Sequence, residues 1–258
     1  MSATQLLVLF VVSLIANLLS ALAGGGAGLL QLPALLMLGL GFGTALATHK
    51  IASVALGIGA SIRHLQSGSL KMGFSIFVLA CGLPGVWVGT QVILDVPEYV
   101  AELCLGLLTF GLGIYSYRRP ELGHVSAPKN RHPSGYMTGG VVLFLIGILN
   151  GSLTSGTGLF VTIWLVRWFG VDFTMAVTYT LILVGLFWNG TGALFLGVQA
   201  PVAWSWLPPL IAGSLIGGYA GAHWALMKGN VWVKRSFEIL TVLVGIHLMT
   251  NAVNDFVG

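Results

Sequence analysis

The sequence predicts an all-α integral membrane protein. Two inverted repeats of about five hydrophobic segments each are expected, with 8–10 membrane segments including short or re-entrant helices at Gly-rich breaks. Three observations carry this. Of the 258 residues, 56% are hydrophobic and 7% charged, with a mean hydropathy of +0.95. A soluble domain has about 25% charged residues, so this chain cannot cover itself with a solvated surface. Second, apolar runs follow one another along the chain, most of them near the roughly 20 residues that cross a bilayer. Third, two glycine-rich breaks, Gly24–Gly28 and Asn150–Gly158, lie about 130 positions apart, each between apolar runs. Bare backbone at membrane depth is tolerated where it is buried in protein or lines a cavity.

Taken in order, the apolar segments are 5–23, 29–42, 45–63, 72–94, 99–117, 137–153, 157–169, 173–197, 203–226 and 236–254. The first ends in Ala21-Leu-Ala23, a signal-peptidase-like site, but residues 1–5 contain no Lys or Arg. A cleaved signal would carry a basic start, so the segment is expected to stay. The second and seventh are short, and either cross the bilayer with their predecessors or re-enter it. The fifth and sixth are separated by the only long polar stretch, Arg118 to Pro133. The organisation is therefore a first membrane repeat over 1–117, a cytoplasmic linker over 118–135 and a second repeat over 136–258.

The halves resemble each other. Gly26-Ala-Gly-Leu29 matches Gly156-Thr-Gly-Leu159, Thr44 and Thr48 match Thr174 and Thr178, and Gly85-x-x-x-Gly89 matches Gly213-x-x-x-Gly217. Internal duplication is a recurrent plan of secondary transporters, with the substrate site near the midplane where the repeats meet. The Gly-x-x-x-Gly pairs read as helix-packing faces. Basic residues concentrate in 63–71, the linker and a turn at 228–235, which puts these inside and Asp95, Glu98, residues 197–202 and both termini outside.

The formal net charge of +4 is spread over these loops, as membrane orientation requires, so no nucleic acid is expected. Cys81 and Cys104 both fall in apolar runs and read as buried free thiols. Metal-ligand spacings such as CxxC or HExxH are absent, and no nucleophile–base constellation appears. Neither a metal, a cofactor nor an enzyme is expected. The partners are a small anionic substrate and the lipid bilayer, with a homo-oligomer left open.

The candidate substrate-binding residues cluster at the breaks. A helix that begins after a glycine bend turns unsatisfied N–H groups and a positive dipole end into the bend, an anion site without a formal charge. This nominates Gly24, Gly25, Gly26 and Gly28 in the first half, and Gly156, Thr157 and Gly158 in the second. Gln31, Asn150 and Ser155 flank the breaks, and Thr178 and Asn189 add a hydroxyl and an amide downstream. Thr48, His49 and Lys50 sit inside the third apolar segment. Lys50 either snorkels to the outer interface or faces the cavity as a counter-charge. Ser53, Gly57, Ala60 and His64 continue from it at helical spacing, as a polar stripe or a packing face.

The Ala-Gly-Gly-Gly-Ala-Gly-Leu-Leu-Gln-Leu-Pro run, the Ala47-Thr-His-Lys50 run and the weaker second copy resemble the TauE/SafE sulfite exporter family over nearly the whole chain. The resemblance implies a carrier of the bacterial inner membrane for sulfite, sulfoacetate or another organosulfonate. Members often have Asn between the Thr and the Lys, where this chain has His49. Every carboxylate is expected at or beyond a segment end, so no acidic relay reaches the centre and His49 is the one titrating candidate there. The expected transport is therefore electrogenic anion efflux.

Overall fold

The computed structural model describes residues 2–65, 70–92, 98–153 and 156–257, and these form helices with no strand among them. Helix α1 (Ala3–Ala23) starts in a capping box, in which Ser2 Oγ accepts from the Gln5 amide and Gln5 Oε1 accepts from the Ser2 amide. It stops at Gly24, whose left-handed backbone ends the helix. Then come α2 (Gly28–Met37), α3 (Phe42–Leu65), α4 (Met72–Val92) and α5 (Glu98–Tyr117). Helix α6 (Pro133–Leu153) opens on a proline, which suits a first helical position. Helix α7 (Thr157–Phe169) lies between two left-handed glycines, Gly156 and Gly170. Helix α8 (Phe173–Tyr179) is capped by the Asp172 carboxylate, which accepts from the Met175 amide at 2.9 Å. A π-helical stretch (Thr180–Trp188) carries it into α9 (Asn189–Gln199), and a short 3-10 turn (Trp204–Trp206) leads to α10 (Leu207–Val257).

Six of these stretches are long and apolar enough to cross a membrane, and α7 is a shorter apolar helix. The 51 residues of α10 would extend about 76 Å if straight, more than twice a bilayer core of about 30 Å. The helix is broken at Gly229, with φ 75° and ψ −174°, into a first arm (207–228) and a second arm (230–257). The ten apolar segments of the sequence thus recur as ten helical stretches among the described residues.

Small residues set the helix crossings. A Cβ at Gly213, Gly217 or Gly221 would lie 2.4–2.6 Å from the carbonyls of Phe10, Leu14 and Leu18 in turn, so the first arm of α10 runs parallel to α1. A Cβ at Gly85 or Gly89 would lie 2.1 Å from the carbonyls of Phe144 and Ile148, so α4 runs parallel to α6. The second arm of α10 runs antiparallel to α5, with Gly106 beside Met249 and Gly113 beside Thr241. Gly57 of α3 meets Gly185 of the π-helical stretch backbone to backbone. In lipid, where apolar burial does not drive helices together, such close approach supplies the packing contacts.

Three expectations need correction. The basic turn over 228–235 is helical except at Gly229, and Lys234 is buried in the second arm. Its ammonium donates to the Ser116 carbonyl at 2.9 Å and pairs with Glu238, which also accepts from Ser116 Oγ. Glu238 is therefore inside the α5/α10 contact and not at a helix end. Cys104 is exposed on the helix surface, while Cys81 is half-buried. Asp95 lies outside the described residues.

The linker is also not a loose tether. Ala127 and Lys129 donate backbone N–H bonds to the Gly170 and Phe169 carbonyls, and Phe173 donates to the Gly123 carbonyl. Asn230, just past the α10 break, donates to the His124 carbonyl and accepts from the Thr174 amide. Arg131 lies over the rings of Phe74 and Phe169. The polar stretch is thereby fastened across the ends of α4, α7 and α8 and the break of α10.

Two glycine substitutions test the crossings. Gly85→Ala should lower stability by about 1–3 kcal/mol, because the new methyl meets backbone that cannot yield cheaply. Gly111→Ala, with nothing within 4 Å of the added Cβ, should be neutral or stabilising by up to about 1 kcal/mol. Thermal unfolding in detergent measures both.

Candidate functional site

The two breaks meet. Gly24, Gly25 and Gly26 all have φ between 84° and 133°, a region that only glycine enters freely. Ser20 anchors the first break, its carbonyl accepting from both the Gly24 and Gly25 amides at 2.9 and 2.8 Å. The Gly24 carbonyl in turn accepts from Thr162 Oγ1 of α7 at 2.7 Å. A Cβ on Gly25 would fall 2.6 Å from Gly158 Cα, so backbone lies against backbone where the breaks touch.

Beside this contact is a cavity of about 30 Å³. It is lined by Gly25 to Gly28 of the first break and by Thr157 and Gly158 of the second. His49 and Ser53 of α3, Asn150 of α6, Thr180 and Asn189 also line it. Helices α2 and α7 both begin at this cavity, at Gly28 and Thr157, so their free N–H ends converge on it.

Lys50 does not snorkel. It is fully buried, and its ammonium donates to the Asn150 carbonyl at 2.7 Å, to Asn150 Oδ1 at 2.9 Å and to Asn189 Oδ1 at 3.2 Å. Gly192 makes room for the chain, since a Cβ there would come within 3.1–3.2 Å of Cδ, Cε and Nζ. The Asn150 amide donates to Thr157 Oγ1 at 2.8 Å, which links Lys50 to the second break. Among the described residues the ion pairs are those of Lys234 and Arg235 with Glu238, so Lys50 has neutral oxygens around it and no carboxylate. A buried cation of this kind is costly unless an anion joins it.

His49 is held from behind. Its Nδ1 lies 2.9 Å from Gln31 Oε1, and Gln31 Nε2 donates to Ser13 Oγ at 3.1 Å. Ser13 donates to the Leu210 carbonyl at 2.6 Å, and Asn17 and Ser214 complete the cluster between α1 and α10.

Of the residues nominated by sequence, Gly25, Gly26, Gly28, His49, Asn150, Thr157, Gly158 and Asn189 line the cavity. Lys50 is one hydrogen bond behind it, Gln31 supports His49, and Gly24 and Gly156 form the bends. Two are elsewhere. Thr48 accepts from the Ala203 amide at 3.0 Å and holds the approach to α10. Thr178 bonds the Thr174 carbonyl and His64 Nδ1, near the far end of α3 from Lys50. Thr154 and Ser155 lie outside the described residues. His223, given no role from sequence, accepts from Arg63 at 2.9 Å. Sequence reading missed Ser20, whose buried hydroxyl beside the cavity has no partner among the described residues, and the supports Ser13 and Asn17. Their signal was present: Ser13, Asn17 and Ser20 are spaced as one face of an apolar helix.

The family model of the sulfite exporter TauE/SafE matches residues 9–248. A protein of Haemophilus influenzae named "Probable membrane transporter protein" is 26% identical over 239 residues, covering 93% of this chain and 92% of the relative. The Escherichia coli K12 protein named "Probable membrane transporter protein YfcA" is 25% identical over 244 residues, 94% of this chain and 88% of the relative. A Sinorhizobium protein named "Probable membrane transporter protein ORF9" is 25% identical over 247 residues, 94% and 92%. No solved structure gives a significant match.

The junction of the breaks makes its own prediction. Gly25→Ala combines an unfavourable φ with a backbone clash and should cost about 1–3 kcal/mol or more. For a chain of this size that is a fall in Tm of about 2–4 °C per kcal/mol, with transport lost; thermal unfolding and flux together measure it.

Proposed function

Because the chain belongs to the TauE/SafE sulfite exporter family, we propose that this membrane transporter carries a small sulfur-containing anion outward across the bacterial inner membrane. Sulfite, sulfoacetate and other organosulfonates are the candidate substrates. The observation that carries this reading is the buried Lys50, set among neutral oxygens where two helix N-termini converge. One fixed positive charge and donors without formal charge replace the hydration shell of an anion. Compact anions suit the cavity of about 30 Å³ better than chain-bearing ones do. On the scale where one water needs about 10–15 Å³, such a space holds about two waters.

Backbone contacts at Gly25/Gly158 and Gly57/Gly185 bound the cavity, which favours a carrier that opens by moving helices over a channel with a standing pore. The duplication of the halves draws support from the helix pairs. Exchanging the two repeats turns α1 beside the first arm of α10 into α6 beside α4, and both pairs are parallel and glycine-mediated. An anion moving outward from a negative interior gains about 2.3 kcal/mol per 100 mV, enough for a roughly fiftyfold gradient without a coupled cation.

Flux into proteoliposomes should saturate and show counterflow. Lys50→Ala should weaken anion binding about tenfold or more, the loss of the one positive charge beside the cavity, while Arg63→Ala changes it less than about threefold. Unchanged affinity in Lys50→Ala would remove Lys50 from the site.

Orientation has a separate test. In a background without Cys81 and Cys104, Ala200→Cys should react with an impermeant maleimide in intact cells, and Ser126→Cys only after permeabilisation. The reverse pattern would turn the molecule over.

A further inference from the structure

The hydrogen-bond directions behind His49 say which protonation form of an oxoanion this cavity accepts. A backbone carbonyl can only accept, so the 2.6 Å contact between Ser13 Oγ and the Leu210 carbonyl uses the Ser13 proton. Ser13 must then accept from Gln31, which places the Gln31 amino group toward Ser13 and its oxygen toward His49. Gln31 Oε1 can only accept, so His49 Nδ1 carries a hydrogen. In the neutral ring Nε2 is thereby an acceptor. The ring is 3% exposed and lines the cavity, and Nε2 has no partner among the described residues. An aprotic anion would set its own lone pairs against this nitrogen.

On the anion-carrier reading, we propose that the site selects an oxoanion carrying one negative charge and its own O–H group. The hydroxyl of the substrate donates to His49 Nε2, and its ionised oxygens lie toward Lys50 and the helix starts at Gly28 and Thr157. The unpartnered Ser20 hydroxyl supplies a further donor at the same cavity. Charge balances as one against one, because Lys50 is the only formal charge at the site among the described residues. The elements packed around His49 contribute Gln31, Ser13, Asn17, Asn150, Asn189 and Ser214, none of which titrates, so Lys50 beside it on α3 is the other titratable group at the site. The other titratable groups of α3 and its partner arm, Tyr219, Arg63, His64, His223 and Lys228, lie from Gly59 onward, about 15 Å or more along the helix from His49. A hydrogen-bearing monoanion leaves with its proton, so transport remains electrogenic with no separate coupling ion.

The test compares sulfite with chlorate on the purified full chain. Both are pyramidal XO3 anions, but chlorate has one charge and no hydrogen, while sulfite passes from hydrogen-bearing monoanion to dianion near neutral pH. Binding is measured for each, separately, across that range. The expected result is sulfite affinity that falls with rising pH in step with the monoanion fraction. Chlorate should bind about tenfold or more weakly at the acid end, as a site loses an analogue lacking the hydrogen it recognises, and should show no pH dependence. In His49→Phe the preference for sulfite over chlorate should fall below about threefold, the acceptor being gone. The wild-type comparison stands without that variant should it fail to fold. Equal affinity for the two anions, pH-independent sulfite binding, or chlorate binding that tightens at low pH as sulfite does, through titration of Lys50 or of the ring, would each overturn this proposal alone. Binding of neither anion at any pH would overturn the carrier reading and this inference with it.

Discussion

The Lys50 ammonium is buried within the chain, and much of the surrounding structure follows from keeping it there. Lys50 needs three acceptors, and they come from two helices of the other half: the Asn150 carbonyl and side chain, and the Asn189 side chain. Those acceptors are neutral, so the group is solvated without being neutralised. A carboxylate in the same position would have made a closed ion pair with no call for a ligand. Lys234 shows that alternative within the same chain. It is buried too, but Glu238 one turn away satisfies it, and the pair fastens α5 to α10. Two buried lysines thus have opposite consequences, decided by the charge of what surrounds them.

The glycines serve the same end. Backbone N–H groups can reach a common point between helices only if nothing projects from the chain, which is why Gly25 and Gly158 touch without side chains. Positive φ at Gly24, Gly25 and Gly26 turns the chain back so that α2 starts at the cavity. The parallel crossings of α1 with α10 and of α4 with α6 hold the scaffold to which both bends are attached.

Helix positions were legible because apolar length in a membrane is a strong signal, and the ten runs correspond closely to the helical stretches. The breaks were legible for the same reason, as the places where that signal fails. Which polar residues would converge was less so. Thr48 and Thr178 look alike in sequence and match across the halves, yet one holds a loop and the other bonds His64, because the facing element differs in each case. The turn at 228–235 was misread because Lys234 and Arg235 suggest solvent, whereas Ser116 and Glu238 provide for the buried lysine from an interface that local sequence does not reveal. Ser13, Asn17 and Ser20 formed a readable stripe, hidden by the strongly apolar run that carries them.

The contact between Gly25 and Gly158 spans more than half the chain, and this bears on how the protein is made. At about 5–20 residues per second, synthesis of the intervening stretch takes roughly 7–27 seconds. Throughout that interval the first bend has no counterpart, Lys50 has neither Asn150 nor Asn189, and Gln31 and Ser13 await the Leu210 carbonyl. The first half therefore enters the membrane with these polar groups unpaired, and their partners arrive only with α6 to α10.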